Sequence, residues 1–269
     1  MTAAAERSAI LFAVPGTSYP EAAADYDPID RAAERRFPKV ERRWAYTSAP
    51  IRRKLAAQGS PAAGPAEALA ALAQAGATRV AVVSLHMTDG KEYRELAAVV
   101  EDLRRAPQGA PRARLGPALM SCESDWERAV RALLAALPET PGQGDRVVLV
   151  AHGSLERHAV RTLRAAAEIG ARIDRRLSLA MMLGTPGLEE TIAACRAAAP
   201  PRVWLVPCLV AAGYSVREEI AGTGEKSWRT AFERAGIACA PVVKGLGEVA
   251  GVVDLWMNQA GRLLDELAG

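Results

Sequence analysis

Cysteine is sparse and scattered: Cys122, Cys195, Cys208 and Cys239 are the only four in 269 residues, and none forms a CxxC pair. That spacing excludes a disulfide scaffold and a zinc knuckle and reads as free thiols in a reducing cytoplasm. No apolar run approaches the ~18 residues of a membrane span. Met1 to Arg7 lacks a basic stretch followed by an apolar one, so no secretory signal is read there. Aromatic residues make up 5%, histidines number three, and lysine is scarce beside arginine. The net charge of +3 is too small to argue for nucleic acid. There is no GxGxxG, no GxxxxGK[ST] and no GxSxG, which leaves nucleotide cofactors and a serine-hydrolase elbow without a motif.

What is present is a chain able to bury a large core, half of it hydrophobic and only 24% charged. Short apolar runs alternate with alanine-rich helical segments. Strands are expected at Ile10–Val14, Arg43–Tyr46, Arg79–Leu85 and Ala113–Leu119, then at Arg146–Ala151, Ser178–Leu183, Val203–Val206 and Ile237–Val243. Helices are expected at Pro20–Arg36, from Ile51, at Pro65–Gly76, Glu92–Arg105, Ser124–Leu137, Arg157–Ala171 and Leu188–Ala199, over much of Val216–Ala235, and at Val249–Leu267. Strand–helix alternation predicts parallel sheets covered on both faces.

Pro138–Gly144 breaks the alternation with two prolines and two glycines, which divides the chain into residues 1–139 and 140–269. The halves echo each other. Phe12-Ala-Val-Pro-Gly-Thr17 matches Leu149-Val-Ala-His-Gly-Ser154, and Val82–Gly90 matches Leu205–Gly213. The expectation is an α/β protein of two similar four-stranded domains with a cleft between them at the carboxyl ends of the strands.

Chemistry is expected at those ends. His152 and His86 both follow a predicted strand, and His152 precedes the Gly153-Ser154 turn. His158 falls in a helix near Arg157 and Arg161 and reads as a solvated surface residue. Arg52, Arg53 and Lys54 open a helix; they read as a solvated face, or as partners for substrate carboxylates.

Several segments together resemble the anaerobic-type sirohydrochlorin cobaltochelatases of the class II chelatase superfamily, to which the ferrochelatases also belong. They are Gly16-Thr-Ser-Tyr19, Tyr46–Leu55, Ser84–Tyr93, Val150-Ala-His-Gly153, Pro207–Gly213, Ser227-Trp228 and Gly245-Leu-Gly-Glu248, in order along nearly the whole chain. The resemblance implies two flavodoxin-like domains gripping a tetrapyrrole. It implies ATP-independent insertion of Co²⁺, or of Fe²⁺ or Ni²⁺, into sirohydrochlorin on the early-cobalt route to cobalamin, with no nucleotide. No nucleic acid or membrane partner is expected, and a homo-oligomer stays open.

The family's usual metal set is His–Glu–His. Its first member falls on His152, the expected catalytic and metal-binding residue. The glutamate falls on Leu183, by alignment through Gly184-Thr-Pro186, and the second histidine falls on Ser215, counting from Pro207 and Gly213. Glu218 or Glu219, one helical turn past Ser215, is the expected substitute donor; Met181, Met182 and Cys208 offer sulfur, or simply pack. Substrate contacts are expected from Thr17, Ser18, Tyr19, Tyr46, His86, Ser154, Leu183, Gly184, Tyr214 and Ser215. The alternative reading is a tetrapyrrole or metallotetrapyrrole binder that does not chelate, or a chelatase fold recruited to another ligand. Under the duplication and the chelatase reading that depends on it, His152 and Tyr19 are expected to border the largest cavity, between the halves.

Overall fold

The structure is a computed structural model that describes residues 6–106 and 110–269. Its eight strands are β1 (Ser8–Val14), β2 (Glu41–Tyr46), β3 (Arg79–Ser84), β4 (Arg112–Leu115), β5 (Arg146–Gly153), β6 (Leu177–Leu183), β7 (Val203–Pro207) and β8 (Cys239–Pro241). They form two wholly parallel sheets of the same order, β2-β1-β3-β4 and β6-β5-β7-β8. The central strands are near-continuous apolar runs because helices cover both faces; Ile10 to Val14 and Val147 to Ala151 are buried throughout.

The helices are α1 (Pro20–Ala23), α2 (Asp27–Arg36), α3 (Ala49–Ala57), α4 (Pro65–Gln74), α5 (Lys91–Arg104), α6 (Glu123–Ala135), α7 (Arg157–Ile173), α8 (Leu188–Ala198), α9 (Trp228–Arg234) and α10 (Ala250–Ala268). Four expected elements differ. The helix over 20–36 is broken into α1, a 3₁₀ turn at Ala24–Tyr26 and α2, which restarts with Pro28 in its first turn. The strands expected over 113–119 and 237–243 shrink to β4 and β8, both at sheet edges where one partner is missing. The helical stretch over 216–235 is a π-helical turn, Ser215–Ile220, then α9 capped by Ser227.

Equivalent helices are exchanged between the halves. α10, at the end of the chain, packs on β3 and α2 of the first half, while α6 of the first half packs on α7 of the second. Gln259 in α10 is buried because it completes β3: Oε1 accepts from the Ser84 amide at 3.2 Å, and Nε2 donates to the Pro117 carbonyl at 2.9 Å. On the other side the buried Trp126 of α6 donates Nε1–H to the Ala166 carbonyl at 2.9 Å. One hydrophobic core therefore runs through both sheets, from Phe12 and Trp126 to Leu149, Trp204 and Trp256. No helix of the described residues is long and apolar enough to cross a membrane.

Candidate active site at the strand ends

β5 ends at His152-Gly153. Gly153 has φ +83°, and a Cβ there would fall 2.0 Å from the Leu183 carbonyl oxygen, so only glycine lets β5 and β6 approach in this way. The turn leaves the His152 imidazole exposed, with Nδ1 3.5 Å from the Gly153 carbonyl oxygen. Leu183 closes β6 and is 43% exposed; Gly184 follows against the Ser154 backbone. Leu155, Leu183, Tyr214 and Val243 are the exposed large hydrophobic residues among those described. They end or follow β5, β6, β7 and β8 in turn, Tyr214 seven residues past β7 beside the π-helical turn.

Beyond β7 the π-helical turn presents three polar groups. Ser215 Oγ donates to Glu219 Oε2 at 2.7 Å. The exposed Glu218 accepts from the Tyr19 hydroxyl of the first half at 3.5 Å. The Tyr19 and Tyr214 rings lie 6.1 Å apart at 60°. Desolvation, and after it the Glu218 carboxylate, raise the Tyr19 phenol above its ordinary range, so it stays a donor. π-Turns are frequent at functional sites because the extra residue re-aims side chains.

No group of three His, Cys, Asp or Glu side chains able to hold a metal occurs among the described residues. The sulfur donors are not available either. Cys208 is fully buried, which pushes its thiol up to about 12 and keeps it protonated. Met181 is packed under Gly153 and Gly184, and Met182 packs against the core behind the second sheet.

The first half differs. His86, expected to face substrate, is 5% exposed and lies in the core. Thr47 Oγ1 lies 2.9 Å from Nε2, and Ser84 Oγ lies 3.0 Å from Nδ1. Thr47 donates onward to Glu92 or to the Val14 carbonyl, which leaves it accepting from Nε2–H, while Ser84 donates to Nδ1. Burial lowers the His86 pKa to about 4, so it is a neutral strand-end brace. Thr17 is buried as well: its hydroxyl caps the Tyr19 amide at 3.1 Å and sits under Gly213. Tyr46 is half-buried, its ring filling the space beside Gly16. Ser18, Tyr19 and Ser154 are half-buried, and Gly184 is partly open. Arg52 Nη1 donates to the Tyr46 and Thr47 carbonyls at 2.6 and 2.8 Å, which closes the end of β2. His158 is exposed but not simply solvated, because it pairs with Asp89 of the first half.

Two seams join the halves, and they are equivalent. Gly213 packs on Thr17 and Ala22, and Gly90 packs on Ser154 and Ala159, the matching residues of the duplicate. Two pockets of the described residues, of about 810 and 230 Å³, lie between β4, α5 and α10 and beside Thr47, Arg52 and Glu92. His152 and Tyr19 border neither. The residues that the sequence reading missed are Leu155 and Val243, legible only as apolar side chains in polar turns.

Comparisons with known proteins place the chain in a family. The family described as cobalt chelatase (CbiK) matches residues 8–264. Sirohydrochlorin cobaltochelatase CbiKC of Nitratidesulfovibrio vulgaris is 34% identical over 253 residues, 94% of this chain and 89% of that protein. The sirohydrochlorin cobaltochelatase of Salmonella typhimurium is 30% identical over 214 residues, 76% of each. Among solved structures, SirB from Bacillus subtilis with Fe³⁺ aligns with a TM-score of 0.65 at 14% identity, over 96% of this chain and 95% of that one, a likeness of fold. With the family match spanning nearly every element from β1 to α10, the chain belongs to the cobalt chelatase (CbiK) family.

Proposed function

We propose that the chain inserts a divalent metal, cobalt foremost, into sirohydrochlorin without ATP, on the early-cobalt route to cobalamin. Family membership supports the reaction class. The observation that carries the site is the exposed His152 at the carboxyl end of β5, with the exposed Leu155, Leu183, Tyr214 and Val243 ending or following the strands of the same sheet. A flat macrocycle offers an apolar face, and these four groups offer a matching apolar rim. Ser18, Tyr19 and Ser154 supply hydroxyl donors for its carboxylates.

Two pyrrole N–H protons must leave as the metal enters. His152 would hold the incoming metal through an imidazole nitrogen. Glu218 and Glu219 supply negative charge on the same edge and accept the released protons, which water then carries away. His152 is the one exposed imidazole on that edge, so most of the metal's other donors would come from the macrocycle.

The test is a titration of the purified protein with sirohydrochlorin, with and without Co²⁺, followed by visible absorbance. The expected result is a bound-macrocycle spectrum that converts to the cobalt product faster than in free solution. Binding without conversion would mean a non-chelating tetrapyrrole binder, and no binding a different ligand.

A further inference from the structure

We propose that Asp25 is a positioning residue: from the first half it holds the loop of the second half that presents Tyr214, Ser215 and Glu218. The proposal rests on the reading of that loop as part of the chelatase site.

Asp25 is 7% exposed, and its Oδ2 accepts from the Ala212 backbone amide at 2.6 Å. Arg217 Nε donates to the Ala212 carbonyl at 2.7 Å, so both polar groups of that residue are fixed by side chains. The packing leaves no slack. A Cβ at Gly245 would fall 2.6 Å from Asp25 Oδ2, and one at Gly247 would fall 2.1 Å from the Asp25 carbonyl oxygen. Gly245 and Gly247 belong to the turn that also fastens the loop, since the Leu246 and Gly247 amides donate to the Leu209 and Val210 carbonyls. Burial raises the pKa of Asp25 and the Ala212 amide opposes that rise.

The duplication supplies an internal control. In the first half the loop after β3 is fastened by the same turn: the Leu119 and Met120 amides donate to the His86 and Met87 carbonyls. Counting from Gly16 and Gly153, Asp25 is equivalent to Thr162; counting from His86 and Leu209, Ala212 is equivalent to Asp89. The equivalent pair also touches, but in reverse, with the Thr162 hydroxyl donating to Asp89 Oδ1 at 3.0 Å. The fold thus requires a contact between these positions, and a hydroxyl–carboxylate pair suffices for it. Only the seam beside the π-helical turn uses a buried carboxylate on a backbone amide. That choice grips the main chain itself two residues before Tyr214, and so sets where Tyr214, Ser215 and Glu218 point.

The experiment compares Asp25→Ala and Asp25→Asn with the parent in the full chain. Leaving the Ala212 amide unpaired should speed hydrogen exchange over residues 208–216 about tenfold in Asp25→Ala, with exchange in β1 and β5 unchanged. The KM for sirohydrochlorin should rise about tenfold at an unchanged KM for Co²⁺. Asp25→Asn keeps an oxygen acceptor and should restore both. If Asp25→Ala does not fold, Asp25→Ser, whose shorter polar side chain withdraws the acceptor from the Ala212 amide, is read in the same way. Unchanged exchange over 208–216, or a lowered melting temperature with both KM values unchanged, would overturn the proposal, as would Asp25→Asn failing as Asp25→Ala does. If the parent inserts no metal, the chelatase reading fails while the exchange result still decides the role of Asp25.

Discussion

Ser215 donates its hydroxyl hydrogen to Glu219 Oε2 at 2.7 Å, so the position where the resemblance places a second metal-binding histidine holds a donor committed to a carboxylate one turn away. Leu183, where the resemblance places a glutamate, is 43% exposed and packs no core. The edge that carries His152 is thereby apolar on the β6 side and acidic on the π-turn side.

Restoring both donors should strengthen metal binding. Leu183→Glu with Ser215→His is expected to raise Co²⁺ affinity by about tenfold or more, since each added ligand contributes on the order of 1–2 kcal/mol. Because Leu183 is exposed, the new carboxylate stays hydrated and should cost little stability. Isothermal titration with Co²⁺ beside a thermal melt checks both; a folded double variant without gain would show that these positions do not converge on His152.

His152→Ala should abolish most metal insertion, about a hundredfold in rate, and shift stability by less than about 0.5 kcal/mol, because the side chain is exposed and packs no core. Initial metallation rates and a melting curve separate the two effects. A rate at the parent's level would remove His152 from the mechanism.

Gly153→Ala should do more damage than His152→Ala. It places an L-residue at φ +83° with its Cβ against the Leu183 carbonyl. The expected cost is about 2–4 kcal/mol, together with loss of activity as β5 and β6 separate and His152 moves. Urea unfolding measures the first effect and sirohydrochlorin binding the second.

His86 should make stability depend on pH. Its folded pKa of about 4 lies below the ordinary histidine value, so between the two the unfolded chain binds a proton that the native chain refuses. Stability should therefore be fully present above about pH 6.5, fall as the pH drops, and level off near pH 4, a loss of about 3 kcal/mol. Urea midpoints measured down this range should show that slope in the parent and lose most of it in His86→Gln. A parent curve flat from pH 7 to pH 4.5 would contradict a buried neutral imidazole.

Residues 1–139 expressed alone should not fold, although they contain a complete four-stranded sheet. Without α10, the Ser84 amide and Pro117 carbonyl lose Gln259, and the face of β3 loses its cover. Poor dispersion of amide resonances is the expected outcome; a cooperative melt of the fragment would disprove the shared core.

The sequence by itself determined what depends on neighbours along the chain. Apolar runs marked eight strands, alanine-rich spacing marked the helices apart from the breaks within 20–36 and 216–235, and the repeated Pro15-Gly-Thr17 and His152-Gly-Ser154 turns marked the duplication and placed one histidine at an open strand end. Tertiary structure alone decided the rest. The amphipathic pattern of α10 says that one face is buried but not against which sheet, and it went to the other half's. His86 and His152 both follow strands and look alike in one dimension; Thr47 and Ser84 close over the first, while a glycine turn leaves the second bare. Asp25 and Ala212 are 187 residues apart, and a hydrogen bond between them has no periodicity to betray it. Local order is encoded by spacing, whereas such contacts exist only once two sheets, each with an unmatched face, have buried those faces against one another.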